Sequence, residues 1–194
     1  MEQRFSAALE SRILRKRASA QLHMTHPYRG RTGDGTYFVT ASTFQKKALL
    51  QSVRMATLFI KILFAYRDQQ KYQLHEFVVM PNHFHLLITP VVSLERAIQF
   101  IKGGFSFRAA KLFQLHGSIW QSSFYDRQVR DLAEYQAIRA YIHLNPVKRR
   151  IATYPAEYPH SSACGKFSLD SPPQRLKPST LQPLNRSAEA LLHP

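Results

Sequence analysis

The chain is poor in cysteine, poor in acidic residues and free of long uninterrupted apolar runs. Its single cysteine, Cys164, excludes a disulfide within the chain and a zinc site built from several cysteines. No apolar stretch approaches the ~20 residues of a membrane-spanning helix, because Lys, Arg or His interrupts each one. Residues 1–20 lack the continuous apolar segment of a secretory signal. These absences predict a cytoplasmic protein.

Basic residues outnumber acidic ones by a wide margin. The 194 residues include 27 Lys and Arg but only 12 Asp and Glu, which gives a formal net charge of +15. An excess of this size says more about binding partners than about the fold, and it favours nucleic acid or another anionic surface as the partner. A generally basic, well-solvated surface is the alternative. With 44% hydrophobic residues the chain can bury one core, so we expect one domain with tails.

Hydrophobic periodicity predicts the order strand, helix, strand, strand, helix, strand, helix. The predicted elements are strand 36–44, helix 48–68, strands 72–80 and 83–90, helix 93–115, strand 123–130 and helix 131–145. The first six form the split βαβ arrangement of α+β, ferredoxin-like folds, with one antiparallel sheet and two helices on one face. The additional C-terminal helix is then available to the other face. Gly103 and Gly104 weaken the second helix and could kink or split it.

Composition divides the chain into three regions. Residues 1–34 form a basic N-terminal arm that ends in a Gly-rich turn, and residues 35–165 carry the predicted elements. Residues 166–194 are Pro-rich with few apolar residues in any period, which predicts a flexible tail.

Two histidines stand one residue apart in a strand-like apolar run, VVMPNHFHLLITP at 78–90. A strand turns successive side chains to opposite faces, so His83 and His85 point one way and Phe84 the other. Two imidazoles on one sheet face can hold one divalent metal ion. The alternative is a pair of core histidines that each hydrogen-bond to a neighbour.

A second group of candidates lies in YIHLNPVKRR at 141–150. Tyr141 and Asn145 are four residues apart and so share a helix face, and Pro146 predicts that this helix ends or bends at about Asn145. An amide oxygen is a hard ligand that suits Mg²⁺ or Mn²⁺ better than zinc. A phenol beside such a metal could attack a phosphate that the metal polarises. An ordinary half-buried helix surface is the alternative.

In order and spacing, these motifs resemble those of the single-tyrosine transposases of the HUH endonuclease superfamily. The resemblance is greatest to the REP-associated tyrosine transposases. It is carried by PNHFHLL, WQSSFYDR, YIHLNP and the closing PAEYPHSS, and it covers residues 35–165. By this resemblance, residues 35–165 would be an HUH catalytic domain whose additional helix carries the tyrosine.

The resemblance implies roles for four residues. His83, His85 and Asn145 would bind a catalytic Mg²⁺ or Mn²⁺, and Tyr141 would be the nucleophile. Its attack on a phosphodiester would leave a 5′-phosphotyrosine and a free 3′-OH, so that rejoining would need no nucleotide cofactor. The implied substrate is single-stranded or hairpin DNA at palindromic repeats, with no membrane partner. Relatives act as monomers or as homodimers, and the sequence is compatible with either state.

Two other functions remain compatible with the sequence. One is a non-catalytic nucleic-acid-binding protein with the same fold, and the other is a metal-dependent phosphodiesterase that uses water. Four more tyrosines could act as nucleophile on chemistry alone, although packing or surface roles are preferred for them: Tyr125, Tyr135, Tyr154 and Tyr158.

Basic side chains in three places are candidates for contacts with DNA phosphates. They are Arg15, Lys16 and Arg17 in the arm, Lys102, Arg108 and Lys111 in the second predicted helix, and Lys148 after the tyrosine. Solvated surface positions are the alternative for all seven.

Overall fold

A computed structural model describes residues 35–174 and residue 176. The predicted arm, with Arg15, Lys16 and Arg17, lies outside the described residues, as does most of the predicted tail.

Four strands and three helices alternate along the chain. They are β1 Thr36–Ser42, α1 Val53–Asp68, β2 Tyr72–Met80, β3 His83–Pro90, α2 Leu94–Phe113, β4 Tyr125–Val129 and α3 Leu132–Lys148. Short 3₁₀ turns lie at Phe44–Lys46, Leu49–Gln51, Pro155–Glu157 and Ser162–Cys164. Within the described part of the chain, no helix has both the length and the apolar character needed to cross a membrane.

The strands form one antiparallel sheet in the order β2-β3-β1-β4. Helices α1 and α2 pack on one face, and α3 packs on the other. This confirms the predicted α+β fold with a ferredoxin-like sheet and an additional helix.

Both faces of the sheet are covered, which explains why its strands are almost continuously apolar. Along β3, Phe84, Leu86 and Ile88 join the larger core under α1 and α2. The smaller core lies under α3 and contains these side chains: Phe38, Val78, Met80, Leu87, Val129, Tyr135, Ile138, Ile142 and Tyr158.

A β-bulge interrupts the alternation in β2. Leu74 pairs with Ile88 and Glu76 with Leu87, so His75 is an extra residue on this strand. Before the bulge Leu74 faces the larger core, whereas Val78 faces the smaller one although it is an even number of residues away.

Two helix boundaries differ from the prediction by more than two residues. Helix α1 begins at Val53 rather than at 48, because the hydroxyl of Ser52 caps it by accepting from the Met55 N–H. Helix α3 continues to Lys148, so the predicted end at about Asn145 is wrong. Proline removes only one N–H donor, and the Arg149 N–H still donates to the Asn145 carbonyl to close the last turn.

Helix α2 runs unbroken through Gly103 and Gly104, and Gly104 lies against Tyr66 of α1. A Cβ on Gly104 would stand 2.6 Å from the Tyr66 ring, which stacks on Phe100 with centroids 5.3 Å apart. A Cβ on Gly103 would meet nothing within 4 Å.

The two glycines should therefore respond oppositely to alanine. We expect Gly103→Ala to raise the free energy of unfolding by about 0.5–1 kcal/mol through helix propensity. Gly104→Ala should lower it, because the new methyl group displaces Tyr66 from Phe100. Chemical denaturation of both variants measures this, and equal stabilisation by both would contradict the close approach of the helices.

Residues 158–170 cover the outer edge of β2. The Val79 N–H donates to the His160 carbonyl, and the Leu74 N–H donates to Asp170 Oδ2. Asp170 also accepts two hydrogen bonds from Arg67, at 2.8 and 2.9 Å. Phe167 packs on Phe64 and Phe77. The packed chain therefore runs past Gly165, into the first residues of the predicted tail.

Asp170→Ala should lower the free energy of unfolding by about 1–3 kcal/mol near neutral pH, because Arg67 and the Leu74 N–H lose their acceptor. The Arg67 hydrogen bonds hold the pKa of Asp170 below its usual 3.8, against the effect of burial. The contribution is therefore complete above pH 3.8 and lost as the pH falls through the folded-state pKa.

Thermal melts from pH 7 to pH 2 test this. The matched control is Asp68→Ala, since Asp68 is exposed and only reaches Arg67 at 4.0 Å. A stability difference for Asp170→Ala that does not shrink in acid would contradict the assignment to the ionised carboxylate.

Candidate active site

The two histidines of β3 lie side by side on the sheet face that α3 covers. Their ring centroids are 4.8 Å apart, and both side chains are buried. The alternation predicted from sequence holds, since Phe84 between them joins the opposite core.

Neighbouring side chains fix both imidazole rings. Thr40, the partner of His85 across β1 and β3, has its Oγ1 2.7 Å from His85 Nδ1. Asn82 Oδ1 lies 2.7 Å from His83 Nδ1. Phe38 stacks on His85 with centroids 5.4 Å apart and planes inclined by 22°. Hydrogen bonds at Nδ1 orient the rings of metal-binding histidines in the same way.

Helix α3 brings Tyr141 and Asn145 to the histidines. The Tyr141 ring lies 5.3 Å from that of His85, and it meets Phe38 edge to face at 5.8 Å. Asn145 is buried, with Nδ2 3.1 Å from His85 Nε2. The four-residue spacing thus places both side chains on the flank of α3 that faces β3.

The donor atoms present fit a divalent cation. Asn145 Oδ1 is buried and has no hydrogen-bond partner among the described residues. A half-turn of the amide exchanges its oxygen and nitrogen, so the side chain can turn this oxygen toward His85 Nε2. In the described ranges no three His, Cys, Asp or Glu side chains group as a metal site, so a site here depends on the amide.

Positive charge lies at the open side of this group. Lys148 Nζ is 5.7 Å from the centroid of the Tyr141 ring. A cavity of about 230 Å³ opens beside His83 and is lined by Met80, Pro81, Asn82, His83, Arg149 and Ile151. Sequence reasoning missed Arg149, although the basic run after Pro146 was a signal that could have found it.

Three other predicted DNA contacts lie elsewhere. Lys102, Arg108 and Lys111 are on α2, across the sheet from the histidines. Lys102 Nζ donates to the Gln121 carbonyl at 2.6 Å, and burial lowers its pKa. The structure does not bring these three side chains to the histidines, and their contact with DNA stays a prediction.

The competing tyrosines have different surroundings. Tyr135 and Tyr158 are buried, which raises the pKa of each to about 12 and disfavours the phenolate. Tyr158 also donates its hydroxyl hydrogen to the Val79 carbonyl. Tyr125 is half-buried on β4 and lies edge-on to Phe38 at 6.4 Å, whereas Tyr154 is exposed.

Comparison with known proteins identifies the family. Residues 34–145 match the family model described as "Transposase IS200 like", which is more than half of the chain. The chain belongs to the IS200-like transposase family. Proteins of this family are DNA-processing enzymes, and the resemblance noted from the sequence motifs is confirmed.

Two individual proteins agree with this family. The REP-associated tyrosine transposase of Escherichia coli K12 is 25% identical over 144 residues, covering 70% of this chain and 84% of that protein. A solved structure of a REP-associated tyrosine transposase bound to a REP hairpin has a TM-score of 0.61 and 20% identity. It covers 81% of this chain and 96% of the solved chain. At that identity the likeness shows the fold.

Proposed function

We propose that this IS200-like transposase nicks single-stranded or hairpin DNA with Tyr141 as nucleophile, in a reaction that depends on a divalent metal ion. The observation that carries the proposal is the meeting of Tyr141 and Asn145 with the His83–His85 pair on one sheet face. Strand β3 supplies the two histidines and helix α3 supplies the tyrosine and the amide, so the proposed site needs both elements.

The proposed ligands of the metal are His83, His85 and Asn145, with Mg²⁺ or Mn²⁺ as the ion that suits an amide oxygen. When bound, the ion would polarise the scissile phosphate and offset the charge that develops on the departing oxygen. Thr40 and Asn82 keep the two imidazoles oriented through their Nδ1 atoms.

In the proposed covalent step, Tyr141 Oη loses its proton and forms a bond to phosphorus. The bond between phosphorus and the 3′ oxygen breaks, and that oxygen takes up a proton to become a free 3′-OH. Lys148 and Arg149 offer positive charge to the bound phosphates. Because the 5′-phosphotyrosine keeps the energy of the phosphodiester, a 3′-OH can attack it and rejoin the strand.

Hairpin DNA is the proposed substrate class. The E. coli relative is named for its association with REP sequences, and the solved relative is bound to a REP hairpin. The net charge of +15 suits a polyanionic substrate. We therefore propose a palindromic repeat that folds into a hairpin beside the cleaved single strand.

Tyr141→Phe should abolish both cleavage and the covalent protein–DNA product, since the phenyl ring keeps its packing and loses only the nucleophilic oxygen. The assay uses end-labelled hairpin oligonucleotides from repeats near the gene, with Mn²⁺ or with EDTA, on denaturing gels.

The matched control is Tyr154→Phe, which removes a hydroxyl from an exposed tyrosine and should change nothing. Cleavage that survives in Tyr141→Phe would point to water as nucleophile. Binding without cleavage of any oligonucleotide by the wild-type protein would point to a non-catalytic nucleic-acid-binding protein.

Thr40→Val should weaken Mn²⁺ binding by about 10-fold, because the near-isosteric side chain loses its hydrogen bond to His85 Nδ1. Calorimetric titration with Mn²⁺ measures this directly. Thr36→Val serves as the control, since Thr36 bonds to Thr89 on the same strand pair but away from the histidines. Equal affinities in all three proteins would exclude His85 as a metal ligand oriented by Thr40.

A further inference from the structure

Glu76 is a buried carboxylate outside the proposed catalytic group. Its side chain is only 7% exposed. Oε1 lies 2.8 Å from Arg139 Nε, whereas Oε2 lies 2.7 Å from His143 Nε2 and accepts from Ser162 Oγ at 2.6 Å. Burial raises the pKa of Glu76, but the hydrogen bonds from His143 and Ser162 outweigh it and bring the pKa below 4.5. The carboxylate is therefore ionised at neutral pH and satisfied on both oxygens.

The β-bulge at His75 puts this carboxylate where it is. Without the bulge, in a regularly alternating strand of the same sequence, Glu76 would share a face with Leu74, two residues before it, and point into the larger core under α1 and α2. With it, Glu76 points to the α3 face, where the His75 ring also meets Tyr135 of α3 edge to face at 6.2 Å. The bulge of β2 thus lies directly beside the carboxylate that binds Arg139 and His143 of α3.

The two partners of Glu76 on α3 lie on the flank away from the histidines. Arg139 and His143 are one turn apart, and Tyr141 between them is rotated by about 200° from each at 3.6 residues per turn. Ile138 and Ile142 lie between the two flanks and pack on the sheet. Helix α3 is therefore held by charge along one side and presents the proposed nucleophile on the other.

We propose that Glu76 is a positioning residue, whose grip on Arg139 and His143 sets the roll of α3 and thereby the position of Tyr141 against the histidines. The inference rests on the proposed function. Apolar contacts resist separation of helix and sheet but resist rolling only weakly, because they have no fixed direction. Hydrogen bonds to a carboxylate do have a fixed direction and therefore resist rolling. With a helix radius of ~5–6 Å, a roll of ~10° moves a side chain by about 1 Å. A displacement of that size can reduce a rate by about 100-fold.

The cluster is not a second catalytic centre. Ser162, His143 and Glu76 have the residue types of a hydrolase triad, but Ser162 Oγ bonds directly to the carboxylate at 2.6 Å and lies 3.4 Å from the imidazole. Ser162 is also buried and bonds to the Phe77 backbone. Its role is to tie the turn at Ser162–Cys164 to the same carboxylate.

Glu76→Gln tests the proposal because it keeps the side-chain volume and removes the charge. Under single-turnover conditions with saturating Mn²⁺ and hairpin DNA, the rate of covalent product formation should fall by about 10–100-fold. DNA affinity measured in EDTA should stay within about 2-fold, since no part of the cluster lies at the open side of the site. A pure loss of stability would not separate rate from affinity in this way.

Two further variants keep the test decisive. Ile101→Val, in the opposite core, should lower stability and leave the rate of the folded protein unchanged. Arg139→Gln removes a half-exposed partner and should lower the rate by about 3–10-fold, but it should have no further effect in the Glu76→Gln background.

A folded Glu76→Gln protein that reacts at the wild-type rate would overturn the proposal, and so would additive effects of Glu76→Gln and Arg139→Gln. Absence of any Tyr141-dependent product in the wild-type protein is a distinct result, because it refutes the proposed function and the positioning role falls with it.

Discussion

The structure depends on the packing of α3 against the second face of the sheet. A four-stranded ferredoxin-like sheet with two helices is complete on the α1 and α2 side, and its other face would expose the apolar side chains that now form the smaller core. Burying them under α3 also closes the candidate site, since β3 contributes only histidines and α3 contributes the tyrosine and the amide. The packing of α3 on the sheet thus both stabilises the fold and brings together the residues of the candidate site.

Polar contacts at the edges of this packing fix the orientations of side chains and of α3, which apolar burial alone does not determine. Thr40 and Asn82 orient the imidazoles, and Glu76 holds the far flank of α3. The C-terminal turn joins in through Ser162, and Asp170 secures the outer edge of β2. Each of these groups is partly or wholly buried, where a satisfied hydrogen bond is costly to lose.

Sequence periodicity predicted much of this arrangement. The strands β2 and β3 were predicted with their observed limits, and the single-residue spacing of His83 and His85 gave their common face. The four-residue spacing of Tyr141 and Asn145 predicted their common face on the helix. Local patterns could not reveal Glu76 as a partner of α3, because that contact spans 67 residues. They also could not show that Lys102 is bound to a loop carbonyl or that α3 continues past Pro146, since tertiary contacts decide both.

The bulge at His75 divides β2 into two halves whose side chains alternate between the sheet faces in opposite phase. Up to Leu74 the even-numbered side chains face the larger core, whereas from Glu76 onward the odd-numbered side chains do. Deletion of His75 would leave a regular strand in which both halves face as before, because Leu74 and Glu76 would then pair with Ile88 and Leu87 as consecutive residues. A one-codon deletion at His75 should therefore rearrange less of the strand than one in a regular strand, where losing one residue turns every later side chain to the other face.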